Sequence, residues 1–219
     1  LKELGQLDIA VKSYEKILSI RPDFAEAHFN LAVTLQELSQ MDAAVKSYEQ
    51  ALAIKPDFAA AHSNLGLTHQ EIGRLDEAVK CYEQAVAIKP DYAEAYQNLG
   101  SVLLGLKREN EALTSYESAI ALNPNLDFIL GDLLSAKMSL CLWEGLANDL
   151  NELMEKINNG EKVINPFYIL ALIDDPEVQR KTAAIYANEK YPQSHVLSKI
   201  EHYPKHNKIR IGYFSADFR

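Results

Sequence analysis

Three asparagines, Asn30, Asn64 and Asn98, stand 34 residues apart, and each is followed by a leucine, Leu31, Leu65 or Leu99. Asparagine is a mediocre helix former, so its return at one repeat position needs a reason beyond propensity. A primary amide offers two donors and an acceptor. That set matches the N–H and C=O of an extended peptide bond, so a row of asparagines can hold a polypeptide backbone without reading its side chains. The competing role is a bond within or between adjacent structural units. Other groups that could do chemistry are weaker candidates. His28 and His62 align with Tyr96 and read as aromatic packing positions, while His69 aligns with Leu35 and Leu103. His202 and His206 are four apart, the spacing of a helical metal pair, but Pro204 lies between them and further ligands are missing. Cys81 and Cys141 are too few for a disulfide scaffold or a metal cluster and read as free thiols in a reducing compartment. No residue of the chain is expected to be catalytic, and no metal or cofactor ligand is expected.

The elements that would carry these asparagines are read from an internal period. Pro22, Pro56, Pro90 and Pro124 are also 34 residues apart, and the text around them is nearly copied: Arg21-Pro22-Asp23-Phe24, Lys55-Pro56-Asp57-Phe58, Lys89-Pro90-Asp91-Tyr92. Each unit reads as two helices. In 59–92, His62, Leu65, Gly66 and His69 fall at helical spacing, and Gly73 suits a left-handed position after the first helix. Asp76 is the expected N-cap of the second helix, whose apolar stripe is Ala78, Val79, Tyr82, Ala85, Val86 and Ile88. Pro90 stops it. Small residues recur where two helices would cross: Ala32, Gly66 and Gly100; Ala44, Ala78 and Ala112; Ala51, Ala85 and Ala119. Tyr14, Tyr48, Tyr82 and Tyr116 are expected to fill the gap between neighbouring units.

From residue 125 the period breaks. A helix is expected over 126–142 and a second from Trp143 to Gly160, a pair that would cap the solenoid. Pro166 opens a short apolar run, Phe167–Ile173, and Asp175-Pro176-Glu177 is a helix start reaching to about Lys190. Lys208-Ile209-Arg210-Ile211-Gly212-Tyr213-Phe214-Ser215 alternates and is β-rich, a strand signal. A lone strand needs partners that the helical text before it does not supply. The chain is therefore expected to be cut at both ends, mid-repeat at Leu1 and after the first strand of an α/β domain. Asp217, at that strand's end, is expected to cap a helix or turn.

Composition sets the outer limits. With 22 basic and 31 acidic residues the net charge is −9, and residues 1–124 carry 11 basic and 18 acidic side chains, so most of the excess lies in the repeats. From Lys199 onward the balance turns to five basic against two acidic. An acidic chain is a poor nucleic-acid binder, and no apolar run is long enough to span a membrane. At 47% hydrophobic residues it folds around a core.

The 34-residue period with its prolines resembles the tetratricopeptide repeat family. The implied organisation is all-α: a right-handed superhelical solenoid over 1–126 (half repeat 1–24, full repeats 25–58, 59–92 and 93–126), a capping helix pair over 127–160, linker helices over 161–207, and over 208–219 the first strand of a truncated α/β, GT-B-like, domain. In such solenoids the first helix of each pair lines the concave face. Those helices, Ala25–Leu38, Ala59–Ile72 and Ala93–Leu106, hold no Lys or Arg, while Glu26, Glu37, Glu71 and Glu94 make them acidic. That disfavours capture of a C-terminal carboxylate.

A second resemblance covers the whole chain. The repeats with their asparagines are followed by Leu134-Ser135-Ala136-Lys137-Met138-Ser139-Leu140-Cys141-Leu142-Trp143, then Asn165-Pro166-Phe167 and Asp175-Pro176, then Ile209 through Arg219. This order is similar to the O-linked N-acetylglucosamine transferase family, including its bacterial members and the plant SPINDLY-type branch. The resemblance implies that Asn30, Asn64 and Asn98 bind acceptor proteins or extended peptides in the concave groove. It implies a nucleotide-sugar donor, UDP-GlcNAc, bound by residues beyond Arg219, and transfer of the sugar to Ser or Thr hydroxyls. The fragment alone would then be inactive and cytoplasmic, and open to self-association through its repeats. The alternatives are a SPINDLY-type protein O-fucosyltransferase and a non-catalytic tetratricopeptide scaffold that gathers partner proteins.

Overall fold

A computed structural model describes residues 2–190 as eleven α-helices, with no strand among these residues. They are α1 (Lys2–Ile20), α2 (Ala25–Glu37), α3 (Met41–Ile54), α4 (Ala59–Glu71), α5 (Leu75–Ile88), α6 (Ala93–Gly105), α7 (Glu109–Leu122), α8 (Ile129–Ser139), α9 (Leu146–Asn158), α10 (Pro166–Leu172) and α11 (Pro176–Lys190). The strand expected over 208–219, His202, His206 and Asp217 lie outside the described residues. Among the described residues, no helix is long and apolar enough to cross a membrane.

Helices α2 and α3, α4 and α5, and α6 and α7 pair as hairpins, and α1 on α2, α3 on α4, α5 on α6 and α7 on α8 join them in series. The turn inside each hairpin has a physical cause. At the end of α4, Gly73 takes φ +78. Its N–H donates to Gln70 O at 3.1 Å and the Arg74 N–H to His69 O at 2.8 Å, which satisfies carbonyls that the helix end leaves free. Ser39 and Lys107 occupy the same position in the neighbouring units and carry φ +59 and +63 without being glycine. The chain re-enters a helix at once, so the N-cap of α5 is Arg74 and makes no side-chain cap bond; Asp76, expected as the cap, sits in the first turn instead. Its carboxylate still faces the positive end of the helix dipole.

The tyrosines reach the next unit, as expected, and also fill a crossing inside their own. A Cβ placed on Gly66 would stand 3.0 Å from the Tyr82 ring, and one on Gly100 would stand 2.7 Å from Tyr116. Each ring therefore lies on the first helix of its own unit, while Tyr48 shares a core with Ala61 and Leu65 of the next unit and Tyr82 with Leu99, Val102 and Leu103. Tyr48 and Tyr82 donate their hydroxyls to Gln36 Oε1 at 3.1 Å and Gln70 Oε1 at 3.3 Å, again within one hairpin. The small residue and the ring are two halves of one contact, which is why Ala44, Ala51, Ala78, Ala85, Ala112 and Ala119 around it are all fully buried.

Leu134 occupies the position held by Ala32, Gly66 and Gly100, and it is fully buried. A leucine there keeps a second helix from crossing closely. Accordingly α9 barely touches α8 and does not form the expected hairpin with it. Residues 162–164 lie on α8 in its place. The Phe128 N–H donates to Lys162 O at 2.6 Å and the Gly131 N–H to Val163 O at 2.8 Å. Leu134, Leu153, Ile157, Val163, Ile164, Ile169 and Val178 close a core of their own around this segment. Helix α8 is shorter than the 126–142 expected because Phe128 and Cys141, at φ +65 and +55, bound it. Further on, Asn165 Oδ1 accepts the Phe167 N–H at 2.9 Å and Asp175 Oδ1 accepts the Glu177 N–H at 2.8 Å, so each acts as an N-cap ahead of a proline at the first helical position.

Candidate functional site

Helices α2, α4, α6 and α8 touch one another in series. The layer in which successive units approach most closely is the inside of the curve, so these helices line the concave face. Helical spacing then puts Glu26, Asn30, Val33 and Glu37 of α2 on one line, Ala60, Asn64, Leu67 and Glu71 of α4 on the next, and Glu94, Asn98 and Ser101 of α6 on a third. Asn30 is exposed and Asn64 and Asn98 are half-buried, each at the edge of its helix's buried stripe. Backbone hydroxyl bonds steady two of the three rungs: Thr34 Oγ1 donates to Asn30 O at 2.8 Å, and Thr68 Oγ1 to Asn64 O at 2.9 Å. Asn64 also sits beside Tyr48 of the preceding unit. Burial pushes the Tyr48 phenol up to about 12, and the Asn64 amide works against that rise. This asparagine thus makes the inter-unit contact that was its competing role.

A fourth rung escaped the sequence reasoning, which closed the repeats at residue 126. Asp132 follows Asn98 by the same 34 residues. Burial, and after it the Asp132 charge, raise the pKa of the Tyr116 hydroxyl of the preceding unit. Gln97 Nε2 donates to Asp132 Oδ2 at 2.8 Å and to Asp127 O at 3.0 Å. Burial pushes the Asp132 carboxyl up to about 6, and the Gln97 bond holds it down in part. The available signal was the period itself, carried one step past the last recognisable proline.

Helices α2, α4 and α6 bring acids and no Lys or Arg to the groove. Glu26 pairs with Lys55 at 3.4 Å, from the loop side, and Glu71 Oε2 accepts from Gln36 Nε2 at 3.1 Å. Gln36 accepts the Tyr48 hydroxyl with its other end, so it links two units. A hollow of about 380 Å³ opens at Val33, Gln36, Glu37, Ser39, Met41 and Glu71. A larger one, about 480 Å³, lies between α8 and α9 over Leu126, Leu130 and Leu133, in the space that a hairpin partner of α8 would fill.

The histidines have structural work that alignment with tyrosine did not show. His28 Nε2 and His62 Nε2 lie 3.0 Å from the carbonyl oxygens of Pro22 and Pro56, so each ties the start of a first helix to the loop before it. In the same loops Arg21, Lys55 and Lys89 stack 4.7 Å over Phe24, Phe58 and Tyr92. His69 is buried among core residues, and its pKa is lowered by burial and by Arg74. Burial pushes the Cys81 thiol up to about 11, which leaves it protonated and inert. Among the described residues no group of His, Cys, Asp and Glu could hold a metal ion.

Models of the tetratricopeptide repeat match residues 57–125, and models of the TPR repeat match residues 1–39 and 36–73. No curated protein sequence matches the chain. Among solved structures it is similar to a crystal structure of MamA, at 23% identity and a TM-score of 0.67 over 72% of this chain and 92% of that one. The Pseudomonas aeruginosa pilF protein is 24% identical with a TM-score of 0.67, covering 87% of this chain and 86% of that one. The first TPR domain of Spaghetti (RPAP3), bound to the HSP90 peptide SRMEEVD, is 20% identical with a TM-score of 0.52, covering 53% of this chain and 93% of that one. At these identities the likeness is one of fold.

Proposed function

The chain belongs to the tetratricopeptide repeat family, and from that premise we propose that it is a protein-interaction module whose concave groove holds an extended segment of a partner by its backbone. The observation that carries this is the row of primary amides, Asn30, Asn64 and Asn98, on consecutive helices of the concave layer. The peptide SRMEEVD seated on the neighbouring RPAP3 domain carries three acids. The acid-lined α2, α4 and α6 of this chain offer such a tail no cation, so the partner segment here is neutral or basic.

The test is direct binding of fluorescein-labelled, Ser/Thr-rich extended peptides, read by anisotropy. Each rung contributes about 0.5–1.5 kcal/mol net, so Asn30→Ala, Asn64→Ala and Asn98→Ala together weaken binding by about 10- to 2,000-fold. A triple variant that folds normally and binds as tightly as the parent refutes the proposal.

A second reading makes this groove the acceptor arm of a protein O-glycosyltransferase. Its support is the sequence order Leu134–Trp143, Asn165–Phe167, Asp175-Pro176 and Ile209–Arg219. In that reading the nucleotide-sugar donor, UDP-GlcNAc or the donor of a fucosyl group, binds to residues beyond Arg219. Residues 1–219 then transfer no labelled sugar to peptide, and the same reading frame extended past Arg219 does. An extended frame that binds peptides and transfers neither sugar leaves the module as a scaffold.

A further inference from the structure

The row of amides does not end in an amide. Asp132 stands one period beyond Asn98, on α8, and is bonded to Gln97, the neighbour of Asn98 on α6. Its Oδ2 is held by Gln97 at 2.8 Å, and Oδ1 has no hydrogen-bond partner among the described residues. The base on its own helix, Lys137, is engaged by Asp149 at 2.7 Å and faces α9. The first helices of the three units before it bring glutamates and no lysine or arginine to the concave face. A half-buried carboxylate with one oxygen fixed and the other without a hydrogen bond, beside helices α2, α4 and α6 that bring no Lys or Arg, is a receptor for a cation.

We propose that Asp132 is the specificity rung of the groove: Asn30, Asn64 and Asn98 hold the peptide backbone, and Asp132 selects a segment that places a Lys or Arg side chain at its end of the row. This rests on the peptide-groove reading above and adds the chemistry of the partner to it. Packed helices lie about 10 Å apart and an extended chain rises about 3.3 Å per residue, so successive rungs are about three residues apart along the peptide. The selected base is therefore about three residues beyond the one bonded by Asn98. The amide rungs tolerate any sequence, and the acid rung sets the register.

The test scans Lys, Gln and Glu through each position of a fixed Ser/Thr-rich dodecapeptide at pH 7.4 and low salt. The proteins compared are the parent chain, Asp132→Asn, Glu117→Gln on the outer helix α7 and the triple asparagine variant. The expected result is a 5- to 10-fold preference of the parent for Lys over Gln at one position. That preference falls within twofold in Asp132→Asn. Glu117→Gln keeps the preference. A Lys preference unchanged in Asp132→Asn, or peptides that bind through the asparagines with no positional preference, overturns this inference and leaves the groove intact. Peptide binding that the triple asparagine variant does not weaken overturns both.

Discussion

Two glycines in this chain are crowded to almost the same distance, and they should respond to alanine in different ways. A Cβ on Gly131 would stand 2.6 Å from Ile164 Cγ1 and 2.8 Å from both Ile164 Cα and Cβ. A Cβ on Gly100 would stand 2.7 Å from Tyr116 Cε1. What differs is the atom that must give way. The Tyr116 ring can tilt: the first unit already carries Ala32 at this position under Tyr48, and both are fully buried. The Ile164 backbone cannot, because the adjoining Val163 carbonyl accepts the Gly131 N–H and the Ile164 side chain is locked in the α8–α11 core. Alanine gains about 1 kcal/mol over glycine in a helix interior, and overpacking costs about 1–3 kcal/mol. With strain at the low end, Gly100→Ala comes out near zero. With strain at the upper end, Gly131→Ala loses about 2 kcal/mol, which lowers a urea midpoint by about 1 M. In a solenoid that loss is local. Hydrogen exchange by mass spectrometry should therefore show faster opening across residues 126–190 with the amides of α2–α5 unchanged. An unshifted midpoint for Gly131→Ala, or a larger loss for Gly100→Ala, would show that the segment 162–164 does not clamp α8 as described.

Three further outcomes are expected. Ser39→Gly and Lys107→Gly each raise the melting free energy by about 0.5–1 kcal/mol, since both residues hold the left-handed conformation that Gly73 holds without strain; no gain in thermal melts would contradict the turn geometry. His69 is buried with Nδ1 unpartnered and its pKa below 6.5, so its contribution to stability is intact above pH 6.5 and is lost as pH falls through the lowered value. His69→Leu, the residue carried at 35 and 103, should flatten the acid side of a pH–stability curve, and an unchanged slope counts against it. The Asp132 carboxyl is raised from 3.8 to about 6, so its contribution is fully present below pH 3.8 and is lost as pH rises through 6. Asp132→Asn should accordingly gain on the parent between pH 4 and 7, by up to about 3 kcal/mol, and a difference that stays flat over that range would mean the carboxyl is not buried.

The parts of the fold that were legible before any coordinates are those written in local chemistry. Period and proline mark the units, Gly73 marks a left-handed turn, and Asp175 before Pro176 marks a helix start. The parts that were not legible depend on which surfaces meet. Ser39 and Lys107 take the geometry of Gly73 because the tertiary turn imposes it on residues whose types do not announce it. Spacing shows the tyrosines meeting the next unit, but not that each ring also lies on the small residue of its own first helix. Asp76 reads as a cap only until the preceding turn is seen to deliver the chain straight into α5. The end of the repeats turns on a single leucine at the small-residue position. Asp132 was hidden for the same reason, since the unit that carries it no longer looks like the units before it.

The clasped loops between units have a mechanical consequence. Arg21 over Phe24, Lys55 over Phe58 and Lys89 over Tyr92 are stacked at one common distance, but the histidine-to-proline tie is made only at the first two loops, because the third unit has Tyr96 where the others have His28 and His62. The joint between the units of Asn30 and Asn64 is therefore fastened by two contacts, and the joint between the units of Asn64 and Asn98 by one.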